Sequence, residues 1–449
     1  VAPGSAQALT HEAEHGLADS DSPPVGQPNG PVRKDTAPRT ILGANVVPGG
    51  DNGNILRDIL PTPLLSHRTR VDDSPNGLSI ALGRARSLGK PILDLTVSNP
   101  TTAGIDYDAR GILDALALPE SLAYEPAPFG MTRARAAVAR YLSEGGVPVD
   151  PAHIVLTAST SEAYAFLFKL LADPGDEVLV PRPSYPLLEH LARGEGVRCV
   201  PYRLAYDGAW HLDLSSVESA VSAHTRAIVV VQPNNPTGSY LTAAELAALG
   251  SLGLPIISDE VFSSYPLRER ARSTPRVPAS RAPLTFALGG LSKLAALPQL
   301  KLAWIAVGGE DANVSAALGR LELITDTFLS VGTPVQLGAA ALLQTRGRAE
   351  ESIRDRARAN LACLRRAIAG SAVSMLDVEA GWYATIRLPR TKTEEAWTVG
   401  FVEQDGVYVH PGHFFDFEEE AYVVASLLTP EVDFAEGVAR IVRRVSERH

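Results

Sequence analysis

Apolar runs alternate with amphipathic stretches along most of this chain. Glu162–Ala172 (EAYAFLFKLLA) predicts a helix, amphipathic or fully buried. Glu177–Val180 follows the Pro174-Gly175 turn and reads as a short strand. Ala227–Gln232 and Ile256–Ser258 predict buried strands, with a helix over Thr242–Leu249 between them. Leu284–Leu288 and Ala303–Val307 continue the series. This alternation predicts an α/β fold with a mostly parallel sheet flanked by helices. Further on, the pattern predicts a long helix over 335–370 and strands near Trp382–Leu388, Val407–His410 and Tyr422–Leu427. A helix from about Phe434 closes the chain. That end reads as a smaller α+β domain.

Residues 1–56 lack this periodicity. They hold seven Pro and eight Gly, and the first aromatic residue of the chain is Tyr107. Such a composition predicts a disordered N-terminal extension, or an arm ordered by a partner. The expected division is 1–56 extension, 57–105 N-terminal arm and part of the small domain, 106–335 large domain, and 336–449 small C-terminal domain.

The net charge of the 449 residues is −10, which argues against nucleic acid as a partner. No apolar run reaches 18 residues, so no membrane span is expected. Two cysteines, Cys199 and Cys363, allow no disulfide framework or zinc-finger spacing, and a cytoplasmic location is expected.

In α/β sheets ligands bind beyond the carboxyl ends of the strands, so the residues that follow each predicted strand matter most. Thr157-Ala158-Ser159-Thr160-Ser161-Glu162 places small hydroxyl residues and an acid at a helix start. That is a capping pattern, and the same helix end is an anion site. Pro183-Ser184-Tyr185-Pro186 offers an aromatic ring at the same edge. Pro233-Asn234-Asn235-Pro236-Thr237-Gly238 is a rigid turn carrying the Asn235 amide. Asp259-Glu260 is either a helix cap or an acid placed deep at the sheet edge, where it would hold a pyridinium nitrogen protonated. Gly289-Gly290-Leu291-Ser292-Lys293 sets a lysine in apolar company. Such a lysine has a depressed pKa and serves as a nucleophilic amine. Lys301, eight residues on, would hold a phosphate or lie on the surface.

The order of these signals resembles the fold-type I aminotransferases of class I/II, enzymes that use pyridoxal 5′-phosphate (PLP), over roughly residues 60–449. The resemblance implies a Schiff base on Lys293 and an Asp259 partner for the ring nitrogen. It further implies an Asn235 contact to the ring oxygen, Tyr185 stacked on the ring, and a phosphate site of Ser159, Thr160, Ser161, Ser292 and Lys301. Tyr124 would reach the phosphate of a neighbouring subunit, which implies a homodimer with shared active sites. The implied substrates are an amino acid and a 2-oxo acid. No metal is implied.

This chain departs from the family pattern in several places. Phe262 stands where a tyrosine is usual, with Tyr265 as the candidate replacement. Lys301 stands for an arginine, and Gly290 for a serine. Val424 occupies the place of the arginine that clamps the substrate carboxylate. Arg387, His410, His413 and Asn99 are the candidates for substrate contact in its absence. An uncharged substrate, an amine or a masked acid, is the further alternative. The lost clamp also leaves β-elimination of a C–S bond or decarboxylation as the second reading, and a non-catalytic PLP-binding scaffold as the third.

Overall fold

The computed structural model describes residues 65–70, 74–145, 148–268 and 282–447. The extension 1–56 lies outside the described residues. A short strand, β1 (Leu93–Asp94), precedes the main sheet. That sheet is built from β2 (Ile154–Thr157), β3 (Glu177–Arg182), β4 (Arg198–Tyr206), β5 (Trp210–Leu212), β6 (Thr225–Val231), β7 (Ile256–Asp259), β8 (Leu284–Gly290) and β9 (Ala303–Gly309). Its order is β2-β9-β8-β7-β6-β3-β4-β5. The pairs β3–β4, β3–β6, β6–β7 and β7–β8 are parallel. β9 is antiparallel to both β2 and β8, so β2 and β8 run the same way. The carboxyl ends of β2, β3, β6, β7 and β8 therefore share one edge.

These strands are continuous apolar runs because helices cover both faces of a parallel sheet. Phe166, Leu167 and Phe168 of the helix Thr160–Leu171 pack on Val178, Val229, Phe286 and Ile305. The strands β4 and β5, which the apolar pattern does not reveal, form an antiparallel hairpin at one edge. Residues 201–204 of β4 alternate between exposed and buried, and β5 is only three residues long, so no continuous apolar run marks them.

A second sheet is assembled from β10 (Ser374–Met375), β11 (Tyr383–Arg387), β13 (His410–Pro411) and β14 (Tyr422–Ser426), in the order β10-β11-β14-β13. Between them in sequence, β12 (Val407–Tyr408) pairs in parallel with β1, so the segment before residue 105 joins the C-terminal part of the chain. The helix Thr333–Ile368 spans about 54 Å at 1.5 Å per residue. Its Leu342 and Leu343 pack with Ala137 and Val138, while its Leu361 and Leu364 pack with Phe401, Val407 and Phe434. One helix thus serves two cores.

Glu394 locks the second sheet to its loops. It is 3% exposed. Its Oε1 accepts from the Tyr422 backbone N–H at 2.9 Å. Its Oε2 accepts from the His413 N–H at 3.0 Å and lies 3.2 Å from His413 Nδ1. The carboxylate therefore ties the start of β14 to the turn Gly412–Phe415. Removing it orphans buried donors, each at a cost of about 1–3 kcal/mol. Glu394→Ala is expected to lower the unfolding free energy by about 3 kcal/mol in a urea titration, and Glu394→Gln to recover part of that loss.

Candidate functional site

Five strand ends converge on one cavity of about 430 Å³. Its walls include Ser159, Thr160, Ser161, Tyr185, Asn235, Asp259, Ser292 and Lys293. The sequence placed these eight residues at separate strand ends, and the fold brings them to one space.

The anion cradle lies beyond β2. Ser159 caps the helix Thr160–Leu171, its side chain accepting from the Glu162 N–H at 3.1 Å. Glu162 Oε2 accepts from the Ala158 N–H at 2.7 Å and from Ser330 Oγ at 2.7 Å. The helix start is thus fixed, and its first-turn N–H groups and partial positive charge are set beside the cavity.

Beyond β6 the turn closes with Gly238 N–H donating to the Asn234 carbonyl at 2.7 Å. Gly238 has φ +68, and a Cβ there would collide with the Ala380 carbonyl oxygen. Glu379 and Ala380 N–H groups both donate to the Gly238 carbonyl, which is why only glycine suits this approach. The neighbouring Asn234 amide donates to the Pro183 carbonyl at 3.1 Å and to Thr237 Oγ1 at 3.0 Å. Asn235 is left at the cavity wall with its Oδ1 buried and without a partner.

Asp259 ends β7. Tyr164 Oη donates to its Oδ2 at 3.2 Å, and the Val261 N–H to its Oδ1 at 3.2 Å. Burial raises its pKa to about 6, against the opposing pull of these donors and of Lys293. Lys293 follows β8 in the single turn Leu291–Leu294. Its Nζ lies 5.0 Å from the centre of the Trp382 ring and 5.7 Å from that of Phe262. Burial lowers its pKa, with Asp259 opposing. This is the amine in apolar company that the sequence predicts.

Tyr164 escaped the sequence reading. It sits four residues after Thr160 on the same helix, one turn further along the cavity-facing side, and that spacing is the signal that could have found it. Tyr383 and Ser98 also line the cavity.

Several expected contacts do not reach this space. Lys301 is exposed, with left-handed backbone at φ 54, and does not line the cavity. Asn99 turns back to accept from the Thr101 N–H at 3.1 Å, and its neighbour Ser98 reaches the cavity instead. Arg387 is exposed on β11, opposite Ser374 and Tyr422. His413 is held by Glu394, which raises its pKa, and points away from the lining. Tyr265 does not replace the missing tyrosine: its hydroxyl reaches the Lys293 carbonyl at 2.5 Å and the Leu294 carbonyl at 3.3 Å. It steadies the lysine backbone rather than the cavity. Gly290, which stands for a serine of the family pattern, lines the cavity. Tyr124 is 73% exposed and lines a separate small pocket beside Glu125 and Gln336.

A mostly parallel sheet that delivers an amine, an acid and a helix N-terminus to one cavity, with a second, antiparallel sheet, defines a two-sheet α/β protein. Residues 90–432 match the family described as aminotransferase class I and II. The chain belongs to that family. It is 31% identical over 259 residues to nicotianamine aminotransferase 1 of Oryza sativa subsp. japonica, covering 54% of this chain and 50% of that protein. It is 28% identical over 261 residues to the alanine aminotransferase of Mycobacterium tuberculosis, covering 56% of this chain and 60% of that protein. These matches thus span half to three-fifths of the curated relatives. The alanine aminotransferase from Pyrococcus furiosus shares the fold, with a TM-score of 0.77 at 22% identity over 86% of this chain and 100% of that one. An Escherichia coli aminotransferase does so with a TM-score of 0.75 at 22% identity over 87% and 100%.

Members of this family use PLP. The cavity fits it. The Asn235 amide, whose Oδ1 has no partner, the acid Asp259, the amine Lys293 and the helix start at Ser159–Ser161 are the polar groups such a cofactor requires.

The raised pKa of Asp259 has a consequence for stability. The folded protein holds a proton there up to about pH 6, whereas an unfolded aspartate releases it near 3.8. Stability is therefore lost as pH rises between those values. In the cofactor-free protein, Asp259→Asn is expected to be more stable than wild type by about 1–3 kcal/mol at pH 8, and equal to it near pH 3.5, in denaturant titrations.

Proposed function

We propose that this chain is a PLP-dependent aminotransferase that moves an amino group between an amino acid and a 2-oxo acid. One observation carries the reading: a buried amine, Lys293, shares a small cavity with a buried carboxylate, Asp259, below a helix N-terminus. Bound there, PLP supplies an electron-accepting ring that takes up the charge released when a bond to the substrate α-carbon breaks.

The protein's own residues do the rest. Lys293, its basicity lowered by burial, is free to carry a proton away from the α-carbon and to return it. Asp259 would hold the ring nitrogen, and Tyr164 and the Val261 N–H keep that carboxylate in place. Ser159, Thr160, Ser161 and Ser292 would hold the phosphate with the helix N-terminus, Asn235 would hold the ring oxygen, and Tyr185 would cover the ring. Lys301 and Asn99 have no part in this assignment, nor do Arg387 and His413. The exposed Tyr124 supports a homodimer in which it reaches the other subunit's phosphate. Two free cysteines support a cytoplasmic place, and among the described residues no helix is long and apolar enough to cross a membrane.

The test is the visible spectrum of the PLP-loaded protein with a panel of amino acids and no oxo acid. Transamination removes the cofactor band stoichiometrically, and an added 2-oxo acid restores it. A band that returns unaided while product accumulates identifies elimination or decarboxylation instead. Lys293→Ala is expected to slow the reaction by at least about a thousandfold and to abolish borohydride fixation of the cofactor.

A further inference from the structure

Tyr164 lies deep against the main sheet, 3% exposed, in a cluster with Val155, Val178, Leu188, Val229 and Phe286. An aromatic ring there is ordinary core. A hydroxyl is not, because its donor must find an acceptor. The acceptor it finds is a carboxylate oxygen, Asp259 Oδ2, at 3.2 Å. The apolar neighbours offer the acid no side-chain donor of their own, and packing fixes where the phenol points. Phe168, one turn further on, stands 5.8 Å from it between ring centres.

The helix Thr160–Leu171 therefore has two tasks. Its first residues, Thr160 and Ser161, belong to the anion cradle, and Tyr164 reaches the acid. Residues four apart stand one above the other on a helix face, and Thr160, Ser161 and Tyr164 all line the cavity. One rigid element thus sets the cradle and the acid's donor in register.

The groups around this contact come from four elements. Lys293, from the turn after β8, favours the charged form of Asp259, as does the Val261 N–H on Oδ1. Tyr185, from the loop after β3, and Tyr202 and Cys199, from β4, also face the pair. Burial raises the pKa of all three, and burial with the Asp259 charge raises that of Tyr164. All four therefore keep their protons at neutral pH. A neutral donor favours a carboxylate's ionised form without bringing a further charge into the cavity. We propose that Tyr164 is a positioning residue: its hydroxyl keeps the Asp259 carboxylate ionised and oriented for the cofactor's ring nitrogen, and so sets how fast the amino group is moved. This rests on the PLP-dependent aminotransferase reading above.

The test is Tyr164→Phe, which removes the hydroxyl and leaves the packed ring. In the cofactor-free protein the stability lost to this substitution should grow with pH. Folded wild type holds the Asp259 proton up to about pH 6, and without the phenol it should hold it to a higher pH still. At about pH 4.5 both folded forms are protonated there, and at about pH 8 both have paid for release, the variant more heavily. The unfolding equilibrium constant of Tyr164→Phe, relative to wild type, should thus be about tenfold higher at the upper pH than at the lower in urea titrations. In an Asp259→Asn background the same substitution should cost the same at both. In the PLP-loaded protein, Tyr164→Phe should lower kcat about tenfold and leave KM within about twofold. A stability cost that ignores pH, or that varies with pH as much in the Asp259→Asn background, overturns the proposal and leaves Tyr164 as core packing. An unchanged kcat overturns it as well. In either case, discharge of the wild-type cofactor band by an amino acid leaves the aminotransferase reading standing. If no amino acid discharges the wild-type band, that reading falls and the proposal falls with it.

Discussion

An amine and a carboxylate share one small, mostly apolar cavity, and the surrounding structure is organised by what it takes to keep them there. Neither group is at ease in low dielectric: Lys293 is pushed toward its neutral form and Asp259 toward its protonated one. Each partly relieves the other, and Asp259 gains two further donors, from Tyr164 and the Val261 N–H. Tyr265 grips the backbone of the lysine turn, and the Trp382 and Phe262 rings lie beside the ammonium. Strain of this electrostatic kind is stored by burial, and it is the property a proton-moving lysine needs.

The sheet makes that arrangement possible at low cost. β7 and β8 are parallel neighbours, with Asp259 opposite Leu288, so the acid and the lysine turn emerge from adjacent strand ends. β2 enters the same edge from the far side of β9, and its helix start completes the cradle. The loop after β6 is fastened to the second sheet's approach through Gly238 and the backbone at Glu379 and Ala380. Asn235 therefore sits on a loop that is anchored at both ends.

Strand ends were legible in the sequence because buried parallel strands are short apolar runs, and whatever follows such a run lies at the binding edge. Ser159, Asn235, Asp259 and Lys293 are all residues of that sort. Side-chain direction within loops was not legible. Ser98 and Asn99 are adjacent, yet one faces the cavity while the other caps a turn, and only the local backbone decides between them. His413 could not be told from His410 by spacing, because the difference is made by Glu394, which lies 19 residues earlier in sequence and holds one of the two rings. Arg387 shows the same limit: on β11 its neighbours face the core, but the last residue of the strand is turned outward. Tyr164 hides inside an apolar helical run, where an aromatic residue reads as core until its hydroxyl is seen to meet a carboxylate.

Residues 410 and 424 are best understood together. They are 14 apart in sequence but directly opposed in an antiparallel ladder, where facing side chains share one space. A long guanidinium at 424 would need room and a polar path to the substrate. Here that room holds Phe262, Trp382, Tyr383 and Phe415, and the polar atoms that this ladder offers the cavity are on His410. A guanidinium recognises charge and a fork of two oxygens. An imidazole whose pKa burial lowers offers a single donor and a single acceptor instead. Lys293 and Asp259 stand at strand ends of the other sheet, so what fills this ladder leaves their positions unchanged. The Lys293–Asp259 pair and the His410–Val424 ladder belong to different sheets in this fold, so one can change without disturbing the other.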